Sequence, residues 1–243
     1  MKIKIINPNT TQAMTESVYH AAIMYARNDT EVVAVSSSSG PDSIENFHDQ
    51  FVSVIGLMEE IRKSDQDEFD AYIIAAACDP GLYVAREMVD EPVIGIGEAA
   101  MHMASLVAAK FSVVTVWPRI VPLIEKAVEQ SGLKDKCASV CSINVSVLDT
   151  ENNPKLTEIE LYNTAKYAIE NDGAEAICLG CAGMAKFAEE LEIKLGVPVF
   201  DGVVSAVKLA EALVDMKKRN SKVLTFKKPE KKAYKGIVKF LEP

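Results

Sequence analysis

The sequence predicts an α/β protein made of two pseudo-symmetric parallel-sheet lobes, each of about four strands, with an active site in the cleft between them. Three observations lead there. Short aliphatic or β-branched runs alternate with longer amphipathic segments almost from end to end, the pattern of a parallel sheet covered by helices. One stretch of the first half returns in altered form in the second. And 243 residues, 49% of them hydrophobic, suffice to bury full cores without a metal or a disulfide scaffold.

The first strand is expected at 3–6. Asn7-Pro8-Asn9-Thr10 then turns the chain into a helix over 11–26, and Asn9 or Thr10 can cap it because a short polar side chain accepts from the first free N–H groups. A strand at 31–35 runs into Ser36-Ser-Ser-Ser-Gly40-Pro41, and Pro41-Asp42-Ser43 introduces a helix at 44–62. A strand at 71–76 leads to Cys78; helix 82–89, strand 93–96 and helix 98–109 follow. The second half keeps the rhythm, with strands at 112–116, 139–143, 176–179 and 197–200. Its helices are expected at 120–131, 157–171, 184–195 and 203–218, the first two closed by Gly132 and Gly173.

The repeat is visible in the residues. Asp70-Ala-Tyr-Ile-Ile-Ala-Ala-Ala-Cys78 aligns without a gap with Gly173-Ala-Glu-Ala-Ile-Cys-Leu-Gly-Cys181, a period of 103 residues (78 to 181). Each stretch is a turn, an aliphatic strand and a cysteine. A helix, a Pro-Val strand and another helix follow both, and 3–9 and 113–117 open the two repeats. On this alignment Cys78 and Cys181 are counterparts.

Charge narrows the partners. The net charge is −9, but from Lys217 onward ten Lys/Arg stand against two Glu, so the tail carries +8 and residues 1–216 carry −17. An acidic body argues against nucleic acid as the principal partner. The tail also holds Phe226 and Tyr234, and is expected to pack on its own body rather than on RNA or anionic lipid. The longest unbroken apolar run, 71–78, has eight residues against the roughly 20 that a bilayer requires. The opening residues read as a strand rather than a secretory leader, so a cytoplasmic location is expected. The expected partners are a small-molecule substrate and further copies of the chain.

Five cysteines, at 78, 137, 141, 178 and 181, argue against a disulfide framework. Ligands of parallel sheets collect at the carboxyl ends of strands. Cys78 and Cys181 fall there, each before a helix whose N-terminus lowers a thiol pKa. Two thiols facing one cleft from opposite lobes suit inversion of a stereocentre beside a carbonyl. One thiolate removes the α-proton and the other thiol returns a proton to the opposite face of the planar enolate.

Other readings compete. A buried cysteine often serves as a small apolar side chain. Cys137-x3-Cys141 with Cys178-x2-Cys181 outlines a four-thiolate zinc site but puts cysteines inside strands, and a redox pair at Cys178 and Cys181 would need both at the strand-to-helix turn. No metal site is expected, and His20, His48 and His102 show no ligand spacing. Gly95-Ile-Gly97-Glu-Ala-Ala100 imitates a dinucleotide fingerprint, yet no acidic residue ends the next strand, so it reads as a crossover between lobes. Asn7-Pro8-Asn9-Thr10-Thr11, besides capping a helix, can present donors to a carbonyl or an anion.

At these residues the sequence resembles the aspartate/glutamate/hydantoin racemase superfamily, most nearly its hydantoin and allantoin racemase branch. Asn7-Pro8-Asn9-Thr10, Gly40-Pro41-x-Ser43-Ile44-Glu45, Cys78-x-Pro80-Gly81-Leu82 with Arg86-Glu87 and Pro92-Val93-Ile94-Gly95-Ile96-x-Glu98-Ala99-Ala100, and Leu179-Gly180-Cys181-Ala182-Gly183-Met184 carry the likeness. The tail, with Lys227-Lys228-Pro229 and Tyr234, is similar too. The resemblance implies a cofactor-independent racemase in which Cys78 and Cys181 are the acid/base pair. Asn9, Thr10, Asp79, Pro80, Gly81, Thr115, Gly180, Ala182 and Gly183 are then expected around the substrate. It also implies a discontinuous first lobe, 1–97 plus 208–243, around a second lobe, 98–207. Cys141, Asp79 and Trp117-Pro118 depart from the branch's pattern and bear on the choice of substrate. An amino-acid racemase, a decarboxylase or isomerase of the same superfamily, and a non-catalytic binding module are the alternatives.

Overall fold

A computed structural model describes residues 1–66 and 68–242; Asp67 and Pro243, the last residue assigned to the first lobe, lie outside the described residues. Its strands are β1 (Lys2–Asn7), β2 (Glu31–Ser36), β3 (Ala71–Ile74), β4 (Val93–Gly95), β5 (Phe111–Thr115), β6 (Cys137–Ser142), β7 (Ala176–Leu179) and β8 (Val199–Phe200). They form two four-stranded sheets of the same order, β2-β1-β3-β4 and β6-β5-β7-β8, with every neighbouring pair parallel. The two-sheet α/β architecture expected from the alternation is present.

The helices are α1 (Gln12–Tyr25), α2 (Phe47–Arg62), α3 (Leu82–Met88), α4 (Ile96–Val107), α5 (Val121–Gln130), α6 (Asp149–Asn152), α7 (Pro154–Asp172), α8 (Ala188–Leu195) and α9 (Gly202–Asp215). Several limits differ from expectation for local reasons. Helix α2 starts at Phe47 rather than at 44, because the Asn46 side chain accepts from the Asp49 N–H and caps it there. Ile96 opens α4 instead of ending a strand, and residues 182–187 form a 3-10 helix ahead of α8.

The sheet register corrects the repeat. Strands β3 and β7 start at Ala71 and Ala176 and pair with the same positions of β1 and β5. Tyr72 and Ile177 donate to the carbonyls of Pro92 and Pro198, and Ala75 and Gly180 to those of Ile6 and Val114. The structural period is therefore 105 residues (71 to 176), not 103, and the residue equivalent to Cys181 is Ala76. Cys78 lies two residues further on, in a turn closed by the Asp79 N–H on the Ala76 carbonyl. A slip of two residues preserves the alternation of side chains across a strand, so the apolar pattern fits either register equally well.

Side chains cover both faces of the first sheet: Leu57 and Ile61 of α2 with Leu82 and Ala85 of α3 on one, and Val18 and Ala22 of α1 with Val203, Ala206, Val207 and Ala210 of α9 on the other. Helix α9 thus returns to the first sheet from the end of the chain, and packs along α4 so closely that a Cβ at Gly202 would lie 2.5 Å from the Ile96 carbonyl oxygen. The basic tail follows it. Asn220 donates to the carbonyls of Asp90, Val89 and Glu91, and Lys222 Nζ to those of Arg86, Glu87 and Val89 at the end of α3. Cations suit the last carbonyls of a helix. Phe226 rests on Tyr83 with ring centroids 5.7 Å apart, so the tail packs on its own body as expected. Among the described residues no helix is long and apolar enough to cross a membrane.

Candidate active site

The carboxyl ends of both sheets meet at a cavity of about 40 Å³. Cys78 and Cys181 both line it, 6% and 8% exposed, one from each sheet's side. Asn9, Met14, Ile44 and the run Ala75-Ala76-Ala77 complete the wall on the first sheet's side; Val116, Ile120, Ile124, Val147, Gly180 and Ala182 form the other. None of the lining side chains carries a formal charge. Among the described residues, no hydrogen bond engages the backbone N–H groups of Ala76 and Ala77, which leaves two donors at the cavity wall, while the Cys78 N–H bonds its own thiol.

The Cys78 turn is held from behind. Gln50 Nε2 donates to the Cys78 carbonyl at 3.1 Å. Asp79, at φ 45°, adopts a left-handed backbone that Asp tolerates better than most residues. Its carboxylate accepts from the N–H groups of Gly97 at 2.9 Å and Glu98 at 2.7 Å, so it caps α4 from another part of the chain. This explains Gly95-Ile-Gly97: a Cβ at Gly95 would come within 2.2 Å of the Asp79 carboxylate, and one at Gly97 within 2.1 Å of the Ala77 carbonyl. The glycines serve a packing contact, not a nucleotide. Arg86 pairs with Glu98 and donates to the Val93 carbonyl, completing the support.

These surroundings reverse one expectation. Burial, with added repulsion from Asp79 and Cys181, pushes the Cys78 thiol up to about 12 instead of down. Helix α3 begins only at Leu82, so Cys78 is not at its N-terminus and gains little from it. Desolvation, with repulsion from Glu98, likewise raises the Asp79 carboxyl well above the usual range.

The remaining expected residues divide. Asn9, Gly180 and Ala182 line the cavity with the two cysteines, whereas Thr10, Asp79, Pro80, Gly81, Thr115 and Gly183 lie behind or beside it. Thr10 ties its turn to Pro41. Thr115 is fully buried and donates to the Gly180 carbonyl at 3.0 Å, so it braces the Cys181 loop. Gly81 caps α3 in a left-handed conformation. Cys137, Cys141 and Cys178 sit on the second sheet, and among the described residues no three His, Cys, Asp or Glu side chains gather as a metal site. Reasoning from the sequence missed Ala76, Ala77 and the aliphatic wall, because nothing separates a residue lining a small cavity from one in a core.

Two four-stranded parallel sheets of like order meet at a cavity that both cysteines line, and this α/β architecture is that of a racemase family. The chain belongs to the Asp/Glu/hydantoin racemase family, whose model matches residues 3–210, and is an isomerase. It is 50% identical over 238 residues to the hydantoin racemase of Pseudomonas sp. (strain NS671), covering 98% of this chain and 96% of the relative. It is 43% identical to the hydantoin racemase of Rhizobium meliloti, covering 97% and 98%. The solved allantoin racemase from Klebsiella pneumoniae is 42% identical and superposes with a TM-score of 0.96 over 100% of this chain and 99% of that one.

Proposed function

We propose that this protein racemises a 5-substituted hydantoin without a cofactor, with Cys78 and Cys181 as the acid/base pair. What carries the reading is that each sheet contributes a buried thiol to one cavity, in a chain half identical to a hydantoin racemase. The proton at C5 is α to a ring carbonyl. A thiolate takes it from one face, and the C–H electron pair moves into the ring as the carbonyl oxygen gains charge. The opposite thiol gives a proton to the other face as the carbonyl re-forms. The pair ends with its roles exchanged, ready for the other enantiomer. Which thiol starts as the base follows from which face of the ring carries the proton, and so from the enantiomer bound. The unengaged N–H groups of Ala76 and Ala77 are available to stabilise the enolate oxygen, with Asn9, Gly180 and Ala182 around the ring.

The reading includes a second lobe, 98–207, and a discontinuous first lobe, 1–97 plus 208–243; the return of α9 to the first sheet supports the discontinuity, although that packing begins at Val203. A free amino acid fits the site less well, because its carboxylate and ammonium would meet no charged side chain in the lining. Ile23, Met24, Leu106 and Val107 are exposed on α1 and α4 and support association of several copies; a cytoplasmic location belongs to the same reading. The test is to incubate each enantiomer of a 5-substituted hydantoin in D2O and follow optical rotation and deuterium at C5. Both should change with the intact protein, and neither Cys78→Ala nor Cys181→Ala should racemise. Full activity in either variant overturns the mechanism.

A further inference from the structure

We infer that Lys222 and Phe226 of the basic tail are positioning residues for the Cys78 thiol, acting through α3; the inference rests on the racemase reading. Cys78 stands in a turn, 78–81, that runs directly into α3. That helix has seven residues, too few to hold its place by its own hydrogen bonds, so its position depends on what packs around it. In front, the Asp79 carboxylate ties the turn to the N–H groups of Gly97 and Glu98. Behind, the tail takes the other end. Lys222 Nζ donates at 2.7 Å to the carbonyls of both Arg86 and Val89, groups that a helix end leaves without intrahelical partners.

Phe226 completes the hold. Its ring packs on Tyr83, and the Arg86 guanidinium carbon lies 5.8 Å from its centroid. Arg86 in turn pairs with Glu98, whose N–H donates to the Asp79 carboxylate. A line of contacts therefore runs from Phe226 through Arg86, Glu98 and Asp79 to the residue beside Cys78. Tyr83 Oη donates to the Gln130 carbonyl at 3.4 Å, at the end of α5, so α3 also touches the side of the molecule from which Cys181 comes. The tail is not simply draped over this helix. Lys217 at φ 54° and Leu224 at φ 63° are both left-handed, a conformation that such residues keep only where surrounding contacts hold it, and they bracket the segment carrying Asn220 and Lys222. Two thiols that invert one centre must face each other across the ring, and a displacement of about 1 Å in a reacting group costs about a hundredfold in rate. Fixing α3 from both ends meets that demand.

The experiment places Lys222→Met, Lys222→Arg and Phe226→Leu in the full chain. It follows kcat and KM for a 5-substituted hydantoin and, separately, iodoacetamide labelling of Cys78 and Cys178. Met keeps the stem of Lys222 without its donors, and Leu keeps apolar bulk without the ring. Both should lower kcat by about tenfold with KM nearly unchanged. Both should also raise Cys78 labelling by about threefold while Cys178, inside the second sheet, labels as slowly as before. Lys222→Arg keeps donors for the same carbonyls and should restore most of both readouts. Lys231→Ala, at an exposed position further along the tail, is the control and should change neither. Either of the first two substitutions decides alone if the other fails to fold. A lower melting temperature with kcat and Cys78 labelling unchanged would overturn the inference and leave the tail a stabilising element. A parallel rise in Cys178 labelling would overturn it too, since the whole fold would then have loosened. No racemisation or C5 exchange by the folded, unaltered protein would remove the racemase reading and this inference with it, whereas the other failures leave that reading intact.

Discussion

Ala76 occupies in the first sheet the position that Cys181 occupies in the second: both follow a residue whose N–H, that of Ala75 or of Gly180, bonds the last paired carbonyl of the central strand. The two thiols at the cavity are therefore not related by the internal symmetry, and Cys78 reaches it from two residues further along. Cys78→Ala should reduce racemisation by at least about a hundredfold if Cys78 is the second acid/base group. Adding Ala76→Cys to that variant places a thiol at the symmetric position and should regain about tenfold or more. Optical rotation measures both. No regain by a folded double variant would mean that the turn, not the sheet register, sets the thiol's approach.

Asp79 holds that turn in place through the N-terminus of α4 without touching the cavity. Asp79→Ala leaves two N–H groups of α4 uncapped, which costs about 1–2 kcal/mol of stability in denaturant titrations. It should also free the Cys78 turn, lowering kcat while KM changes little. Asp79→Asn keeps an acceptor and tolerates the left-handed backbone, so it should fall between. A rise in KM at constant kcat would instead place Asp79 on the substrate.

The thiols should differ in reactivity. A pKa raised to about 12 means that Cys78 gains its thiolate tenfold per pH unit throughout the range from 7 to 10. Its iodoacetamide labelling, followed by peptide mass spectrometry, should climb without a plateau over that range. Cys137 and Cys141, only partly buried, should label before it at pH 7.5, and the fully enclosed Cys178 last. A plateau for Cys78 near pH 8 would contradict the burial argument.

What could be read in advance follows from what each feature depends on. The strand and helix order is written in local alternation, and the cleft position of the cysteines in the rule that parallel sheets bind at their carboxyl ends. The exact counterpart of Cys181 was hidden, because matching cysteine to cysteine also matched inside and outside faces. Asp79 drew attention as a departure beside a cysteine, but its partner is 18 residues away on another helix, and such a cap leaves no local pattern. The aliphatic lining was equally illegible: Ile120 and Ile124 have the spacing of any buried helical face.

Across the cavity rim, Glu45 Oε1 accepts the Val147 N–H at 3.1 Å, a bond between the loop after β2 and the loop after β6. Ile44 and Val147, the immediate neighbours in this contact, both line the cavity, so the bond draws the rim together above the thiols. A rim held together by this bond would keep water from the thiols while substrate is bound. Glu45→Ala removes the acceptor and should loosen the rim: kcat falls by about tenfold or less, and solvent deuterium washes more freely into unreacted substrate because the site is wetter. Glu45→Gln retains a carbonyl acceptor and should restore most of kcat. If Gln behaves like Ala, the charge rather than the hydrogen bond holds the rim, and the loss on substitution should then shrink as ionic strength rises and screens that charge, which separates the two.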